Sequence, residues 1–391
     1  MKYRTLEDID LAGKRVLIRL DLNVPIQDGK ITSTARIDLS VPTIRKAMEA
    51  GAKVMVMSHL GRPVEGQPEK RYSLGPVAEC LSSALGREIR FVEDYLVSEP
   101  ELDPGQAVLF ENVRFNPGEK ANDEALSRRY AGLCDVFVMD AFGAAHRMQS
   151  STCGAGMFAS EVCAGPLLSA ELEALSAVVE NPARPMAAIV GGSKVSTKLT
   201  LLESMLSTVD WLIPGGGIAN TFLAASGIGV GQSLYEPELV DFAADLIRLA
   251  DKNGKRILLP DDVAVADRFA ADAAAVVKPV DDIGPKDMVL DIGPATSEKY
   301  RSVLDSAETI VWNGPMGVFE FDAFARGTRD IGQAVCSSGG FSVAGGGETL
   351  AAIERFDLAD GISCISTGGG AFLEFLQGDS LPAVRMLESS A

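Results

Sequence analysis

The chain holds only two histidines among its 391 residues, and its six cysteines, at positions 80, 134, 153, 163, 336 and 364, include no C-x-x-C pair. Zinc sites need closely spaced Cys and His ligands, so neither such a site nor a disulfide framework is expected, and the thiols are read as reduced and cytosolic. Basic residues are also in short supply: 36 Lys plus Arg stand against 54 Asp plus Glu, a net charge of −18. That argues against a general binder of nucleic acid or anionic membrane, which would show a net basic surface. The opening residues, Met1-Lys2-Tyr3-Arg4 and then Leu6-Glu7-Asp8, contain no apolar stretch of the secretory type. An uncharged run does cover 211–235, but its six glycines and its Ser, Thr, Asn and Gln suit strand, loop and helix better than a bilayer span. No G-x-x-x-x-G-K-[ST] phosphate loop occurs. Gly154-Ala155-Gly156-Met157-Phe158-Ala159 fits G-x-G-x-x-[GA] in letters only, because a polar stretch rather than a strand precedes it.

What is present is a globular composition, 47% hydrophobic and 23% charged, over a length that suits two domains. Short β-branched apolar runs alternate with helical patterns from end to end, the pattern of parallel α/β construction. The runs are 15–22, 53–58, 89–93, 107–111 and 136–140, then 186–190, 211–214, 256–260, 288–292, 309–312, 341–344 and 364–366, with helices expected over 194–208 and 238–253. The fold class expected is α/β, with two doubly wound, Rossmann-like parallel sheets. A helix over 167–180 ends in Asn181-Pro182-Ala183-Arg184-Pro185, whose prolines would stop it, and the domain boundary is placed there. Ligands of such sheets bind beyond the carboxyl ends of the strands, so the residues after each run carry the functional reading.

In the first half those ends are rich in cations. The first strand runs out through Arg19, Asp21 and Asn23 on one face; the next reaches His59 and Arg62; later ones reach Arg114 and Arg147, with His146 beside it; and Arg36 follows the first loop. Residues 1–180 carry 20 basic against 26 acidic side chains, and 181–391 carry 16 against 28, so the cations gather in the less acidic half. A single Arg is usually a surface ion pair. Several at successive strand ends point to a phosphate or carboxylate site, because the guanidinium fork makes bidentate, charge-assisted bonds to both groups.

In the second half the strands end in glycine: Gly191-Gly192-Ser193, Gly215-Gly216-Gly217, Gly345-Gly346-Gly347 and Gly368-Gly369-Gly370. Glycine admits close backbone approach, and the helix that follows favours negative charge at its start, so a nucleotide fits. Lys194 and Lys198, four residues apart, are expected in the first turn of one helix, where cations oppose the macrodipole unless an anion sits between them. Glu348, directly after a glycine run, is open to two readings, helix capping or Mg2+ binding.

Taken together, these residues resemble the phosphoglycerate kinase family, in its bacterial form. The matching blocks, in order, are 19–25 (RLDLNVP), 58–63 (SHLGRP), 111–115 (ENVRF), 140–147 (DAFGAAHR), 191–198 (GGSKVSTK), 312–320 (WNGPMGVFE), 345–349 (GGGET) and 366–374 (STGGGAFLE). The resemblance implies two domains facing each other across a hinged cleft. The N-terminal domain, 1–180, would bind phosphoglycerate through Asp21, Asn23, Arg36, His59, Arg62, Arg114 and Arg147, with 167–180 as the inter-domain helix and the tail 371–391 completing it. The C-terminal domain, 181–370, would bind the Mg–nucleotide through Lys194, Lys198, Gly215, Gly216, Gly217, Glu320, Gly345, Gly346, Gly347, Glu348 and Thr349.

The implied reaction is reversible, Mg2+-dependent phosphoryl transfer from 1,3-bisphosphoglycerate to ADP, giving 3-phosphoglycerate and ATP, in a cytoplasmic monomer without nucleic-acid or membrane partners. Arg36, Lys194 and Lys198 are the expected catalytic groups and Glu348 the expected metal ligand. Family members commonly carry Asp where this chain has Glu348, which puts the Mg2+ dependence in question. Two other classes were weighed: a nicotinamide-dependent oxidoreductase, which lacks a credible fingerprint here, and a catalytically silent nucleotide-binding scaffold, which loss of Arg36, Lys194 or Lys198 would signal.

Overall fold

The five apolar runs of the first half become strands of one six-stranded parallel sheet, β1 (Arg15–Leu20), β2 (Lys53–Met57), β3 (Ile89–Val92), β4 (Ala107–Phe110) and β5 (Val136–Asp140), with β6 (Glu161–Ala164) as the sixth, in the order β3-β4-β2-β1-β5-β6. The chain is described here by a computed structural model covering residues 2–27 and 29–390. Its central strands are buried on both faces, as parallel strands covered by crossover helices must be, and this is why they read as near-continuous apolar runs. The edge strand β6, only four residues long, was not anticipated.

The helices between them follow from local chemistry. Gly75–Leu85 starts with Pro76 in its first turn, turns Val77, Ala78, Leu81 and Leu85 to the core, and stops at Gly86, whose φ of 67° gives the left-handed C-cap. Helix Ala35–Glu49 buries Ile37, Val41, Ile44, Ala47 and Met48 in the same core. Helix Pro166–Val179 is anchored at its start by Asp140, whose Oδ1 accepts from the Leu168 N–H at 2.9 Å while its Oδ2 accepts from the Thr43 hydroxyl at 2.6 Å.

The second half builds another six-stranded parallel sheet from β7 (Met186–Val190), β8 (Trp211–Pro214), β9 (Arg256–Ile257), β13 (Thr309–Asn313), β14 (Phe341–Ala344) and β15 (Cys364–Ile365), in the order β9-β8-β7-β13-β14-β15. Between them a separate antiparallel sheet forms from β10 (Asp262–Ala266), β11 (Val276–Pro279) and β12 (Met288–Ile292), with β10 in the middle. The run 288–292 therefore does not join the main sheet. The connections 267–275 and 280–287 are too short for the crossover a parallel pair needs, about a dozen residues or more, so the chain doubles back. The helix expected over 194–208 is confined to Leu199–Thr208, and that over 238–253 to Val240–Lys252.

Two compact units result, Met1–Glu173 with Ser380–Ala391 and Ala174–Asp379. The division falls inside helix Pro166–Val179, earlier than the 180 read from the prolines, and the tail rejoins the first unit at Ser380 rather than 371. The reason is packing: helix Gly369–Leu376 stays with the second unit, where Ser204 Oγ donates to the Leu376 carbonyl at 3.0 Å and Phe372 lies buried against Gly345. Helix Pro382–Ser389 then buries Val384, Met386 and Leu387 in the first unit, with Met386 against Gly156 and the Ala383 N–H on the Ala145 carbonyl at 3.1 Å. Gly154 and Gly156 are thus packing glycines, with Gly154 pressed on Ser127. We expect Leu387→Ala, which empties a site 2% exposed, to lower the stability of the first unit by about 2–4 kcal/mol in urea unfolding. Val97→Ala, at a side chain 86% exposed, should change it by less than about 0.5 kcal/mol.

Candidate active site

The strands that carry the cationic residues, β4, β2, β1 and β5, are four consecutive neighbours in the first sheet, so their carboxyl ends deliver Arg114, His59, Arg19 with Asp21 and Asn23, and Arg147 to one edge. Arg36 stands in the first turn of helix Ala35–Glu49, where a cation opposes the helix dipole; the Asp21 carboxylate answers it at 2.6 Å. Burial pushes the Asp21 pKa up, but the arginines beside it, Arg36 and Arg19, outweigh it, and the group lies below its ordinary value.

Loop ties fix the rest. Asn112 accepts from the N–H groups of Arg114 and Leu60 and donates to the carbonyls of Leu60 and Tyr72, which locks the loop after β4 to the loop after β2. Gly61 is held from both sides, its N–H on Asn23 Oδ1 at 2.8 Å and its carbonyl on Arg114 at 2.5 Å. It has to be glycine, since φ is +60° and a Cβ would stand 2.4 Å from the Tyr72 ring. Arg62 next to it is exposed.

Burial lowers the Arg114 guanidinium to about 10, and the like charges of Arg147 and Arg19 add to the effect. A bound anion would relieve that repulsion. His59 is buried and held well below its usual pKa by desolvation first, while Arg147 donates from Nε to His146 Nε2 at 3.3 Å. Both imidazoles are therefore neutral neighbours of arginines.

The second unit repeats the device with backbone in place of guanidinium. Here β8, β7, β13 and β14 are consecutive, and Gly215–Gly217, Gly191–Lys198, Asn313–Glu320 and Gly345–Thr349 follow them. Several of these glycines are required by one another: a Cβ on Gly314, whose φ is +113°, would lie 2.3 Å from the Gly191 carbonyl oxygen, and one on Gly217 would lie 2.2 Å from that of Ser193. The loops lean together and frame a cavity of about 650 Å³. Gly216, Gly217, Glu320 and Glu348 stand on its wall, and Leu234, Phe269, Met288, Leu290 and Val318 make much of it apolar. A slot with an apolar body and glycine N–H groups at the rim has the shape and chemistry for a nucleotide.

The two lysines do not share a helical turn. Ser196 is captured through its N–H and its hydroxyl by Glu236, which holds Val195–Thr197 as a 3-10 turn and delays the helix to Leu199. Lys194 stays exposed, whereas Lys198 folds inward and donates to the carbonyl of Gly191 at 2.5 Å and to Asn313 Oδ1 at 2.6 Å. Burial pushes Lys198 down to about 8, against the opposing pull of Glu348. Thr349 is buried, and its hydroxyl accepts from the Gly314 N–H at 2.7 Å, so it ties two loops. Gly345 meets Phe372, while nothing lies within 4 Å of a Cβ placed on Gly347, beside exposed Glu348.

Sequence reasoning did not single out Asn313, although it sits inside a matching block; its amide bridges Lys198 and the Gly345 carbonyl. It also left out the apolar wall, Ser151 and Glu119, and it named Arg19 at the strand end without giving it a role. Its burial could have been read too, since a charge between Ile18 and Leu20 in a buried strand demands a reason. The residues of the apolar wall come from separate loops with no shared motif.

A cation-rich edge on one unit and a glycine-framed, nucleotide-sized cavity on the other suit a nucleotide-dependent phosphotransferase. A sequence model of the family described as Phosphoglycerate kinase matches residues 6–379. The solved structure of phosphoglycerate kinase from Coxiella burnetii is 51% identical, with 100% of both chains covered and a TM-score of 0.96. That from Pyrococcus horikoshii OT3 is 34% identical, covering 100% of this chain and 99% of the other, with a TM-score of 0.84. The chain belongs to the phosphoglycerate kinase family.

A lysine with a pKa near 8 in the free protein makes a proton-linked prediction. Phosphate beside Lys198 stabilises the ammonium and raises that pKa, so ADP binding at pH 8 should take up about half a proton, and affinity should fall as pH rises beyond 8. Calorimetry in two buffers of different ionisation enthalpy measures this uptake, and Lys198→Met should abolish it. Equal heats in both buffers would mean that the ammonium is fully charged before the nucleotide arrives.

Proposed function

We propose that the chain transfers a phosphoryl group reversibly between the acyl phosphate of 1,3-bisphosphoglycerate and ADP, with the phosphoglycerate on the cationic edge of the first unit and the nucleotide in the cavity of the second. The observation that carries this reading is the cavity itself, where the glycine loops, Glu320 and Glu348 meet an apolar wall. The attacking atom is a carboxylate oxygen in one direction and a nucleotide phosphate oxygen in the other. Both are ionised near neutral pH, so the reaction needs no general base. That suits a set of groups in which the histidines are neutral and the cations are Arg and Lys.

Catalysis then rests on alignment and on neutralising the charge spread over the migrating group. Arg36, Lys194, Lys198 and the N–H groups of the glycine loops are the groups we assign to it. Asp21, Asn23, His59, Arg62, Arg114 and Arg147 hold the phosphoglycerate. Gly215, Gly216, Gly217, Glu320, Gly345, Gly346, Gly347 and Thr349 shape or line the nucleotide site.

Among the described residues no three His, Cys, Asp or Glu side chains converge as a metal cage, whereas Glu348 stands exposed on the cavity wall. A single carboxylate completed by phosphate oxygens and water is a common way to hold Mg2+, so the donor set fits an ion that enters with the nucleotide. When bound, Mg2+ would neutralise phosphate charge. Glu348 would hold it, through an arm one methylene longer than the family's usual Asp. The reactants bind to separate units, so we also propose a closing motion that brings the phosphates together and excludes water, with hinges in 167–180 and 366–374. The six cysteines are free thiols, which supports a reducing, cytoplasmic setting. Light scattering should give 41.3 kDa if the working state is the monomer we propose.

Mg–ATP turnover with 3-phosphoglycerate, coupled to reduction of the product, tests the reaction. Arg36→Ala and Lys194→Ala should each lower kcat by about 10²–10³ with the fold retained, the cost of removing one preorganised charge-stabilising group. A wild-type chain that binds nucleotide but never turns over would leave the silent scaffold instead. Glu348→Asp should shift the Mg2+ titration, and an unchanged curve would remove the metal role. Small-angle scattering should contract when both substrates are present; superimposable curves would count against closure.

A further inference from the structure

Beneath the cationic edge lies a line of buried polar groups that ends on His59, and three of them, Glu119, Ser151 and Arg19, have no role above. Glu119, Ser151 and Arg19 are each 0% exposed and His59 is 3% exposed. Ser151 donates its hydroxyl to Glu119 Oε1 at 2.6 Å and its backbone N–H to Oε2 at 3.1 Å. The same hydroxyl accepts from Arg19 Nε at 3.0 Å. Arg19 in turn bonds the Leu20 carbonyl through one terminal nitrogen and places the other 3.1 Å from His59 Nδ1.

Donor and acceptor counting fixes the outcome. Guanidinium has no acceptor, so the Nδ1 facing it must present a lone pair. His59 is then neutral with its proton on Nε2. His146 carries the reverse pattern, since its Nε2 accepts from Arg147 and its proton falls on Nδ1.

We propose that Glu119, acting through Ser151 and Arg19, is a positioning residue that sets the tautomer and orientation of His59, so that this imidazole meets the phosphoglycerate as a neutral Nε2–H donor. Ser151 transmits direction as well as charge. Its single hydroxyl proton is committed to Glu119, which leaves only lone pairs toward Arg19 and forces the Arg19 Nε–H to point at it. With that edge of the guanidinium fixed, the far nitrogen faces His59 Nδ1. Glu119, with Asp21, also supplies the counter-charge to Arg19, which lies buried near Arg114 and Arg147. The functional half of this inference rests on the first unit's edge being the phosphoglycerate site, as proposed above.

The test uses the full chain with 15N-labelled histidine, at pH 8 so that Glu119 is ionised. The two imidazoles should show opposite tautomers, which assigns them, and a His146→Gln variant checks the assignment. In Ser151→Ala and in Glu119→Gln the His59 nitrogens should lose the pure Nε2–H pattern, and the KM for 3-phosphoglycerate should rise about tenfold, the scale of one hydrogen bond to a charged group. The KM for ATP should stay within about twofold, which also reports an intact second unit. Unchanged His59 nitrogen shifts in both variants overturn the proposal. Shifted nitrogens with an unchanged KM for 3-phosphoglycerate would uphold the relay and overturn the assignment of this edge to that substrate, so the two failures are separable.

Discussion

In a parallel sheet every strand ends on the same edge, and whatever follows four neighbouring strands must arrive together. Both units of this chain depend on that constraint. In the first, β4, β2, β1 and β5 deliver Arg114, His59, Arg19 and Arg147; in the second, β8, β7, β13 and β14 deliver three glycine runs and Asn313. The same geometry thus serves two opposite solutions for binding phosphate. One concentrates guanidinium charge, and the other strips side chains away so that backbone N–H groups are reached.

Each solution carries a cost that the surroundings offset. Guanidinium groups packed together repel, and burial makes the repulsion worse, as the lowered pKa of Arg114 shows. Asp21 on Arg36 and Glu119 beneath Arg19 answer part of it. Burial raises Glu119 to about 7, so even this counter-charge is held only because Ser151 and Arg19 bond to it or face it. Glycine loops have the converse problem, too little to hold them in place. They are fixed by one another and by Asn313 and Thr349, whose side chains close the gaps between loops that no Cβ could occupy.

The sheets were legible because their central strands are buried on both faces and so read as unbroken apolar runs, such as Val136–Asp140 and Met186–Val190. What escaped lies where that rule weakens. Glu161–Ala164 is a short edge strand, and the antiparallel sheet of Asp262–Ala266, Val276–Pro279 and Met288–Ile292 is set by connection length rather than composition. The charged site residues could be read at strand ends. The start of the helix after Lys198 could not, because it is set by Glu236, forty residues on from Ser196 along the chain. No local pattern encodes such a tie.

The placement of Lys198 then has a reason that its sequence neighbours hide. Had it shared a helical turn with Lys194, both ammonium groups would face solvent. Folded onto Gly191 and Asn313, it becomes a cation whose charge burial has made costly. A phosphate that approached the glycine loops would remove that cost, so under the proposed function part of the attraction for the nucleotide is stored in the free protein as an unfavourable charge. Arg114 and its neighbours hold the same kind of reserve in the first unit. The chain is strongly acidic overall, yet at both edges it keeps cations that burial has made costly, which suits a protein of net charge −18 to the two anionic reactants proposed for it.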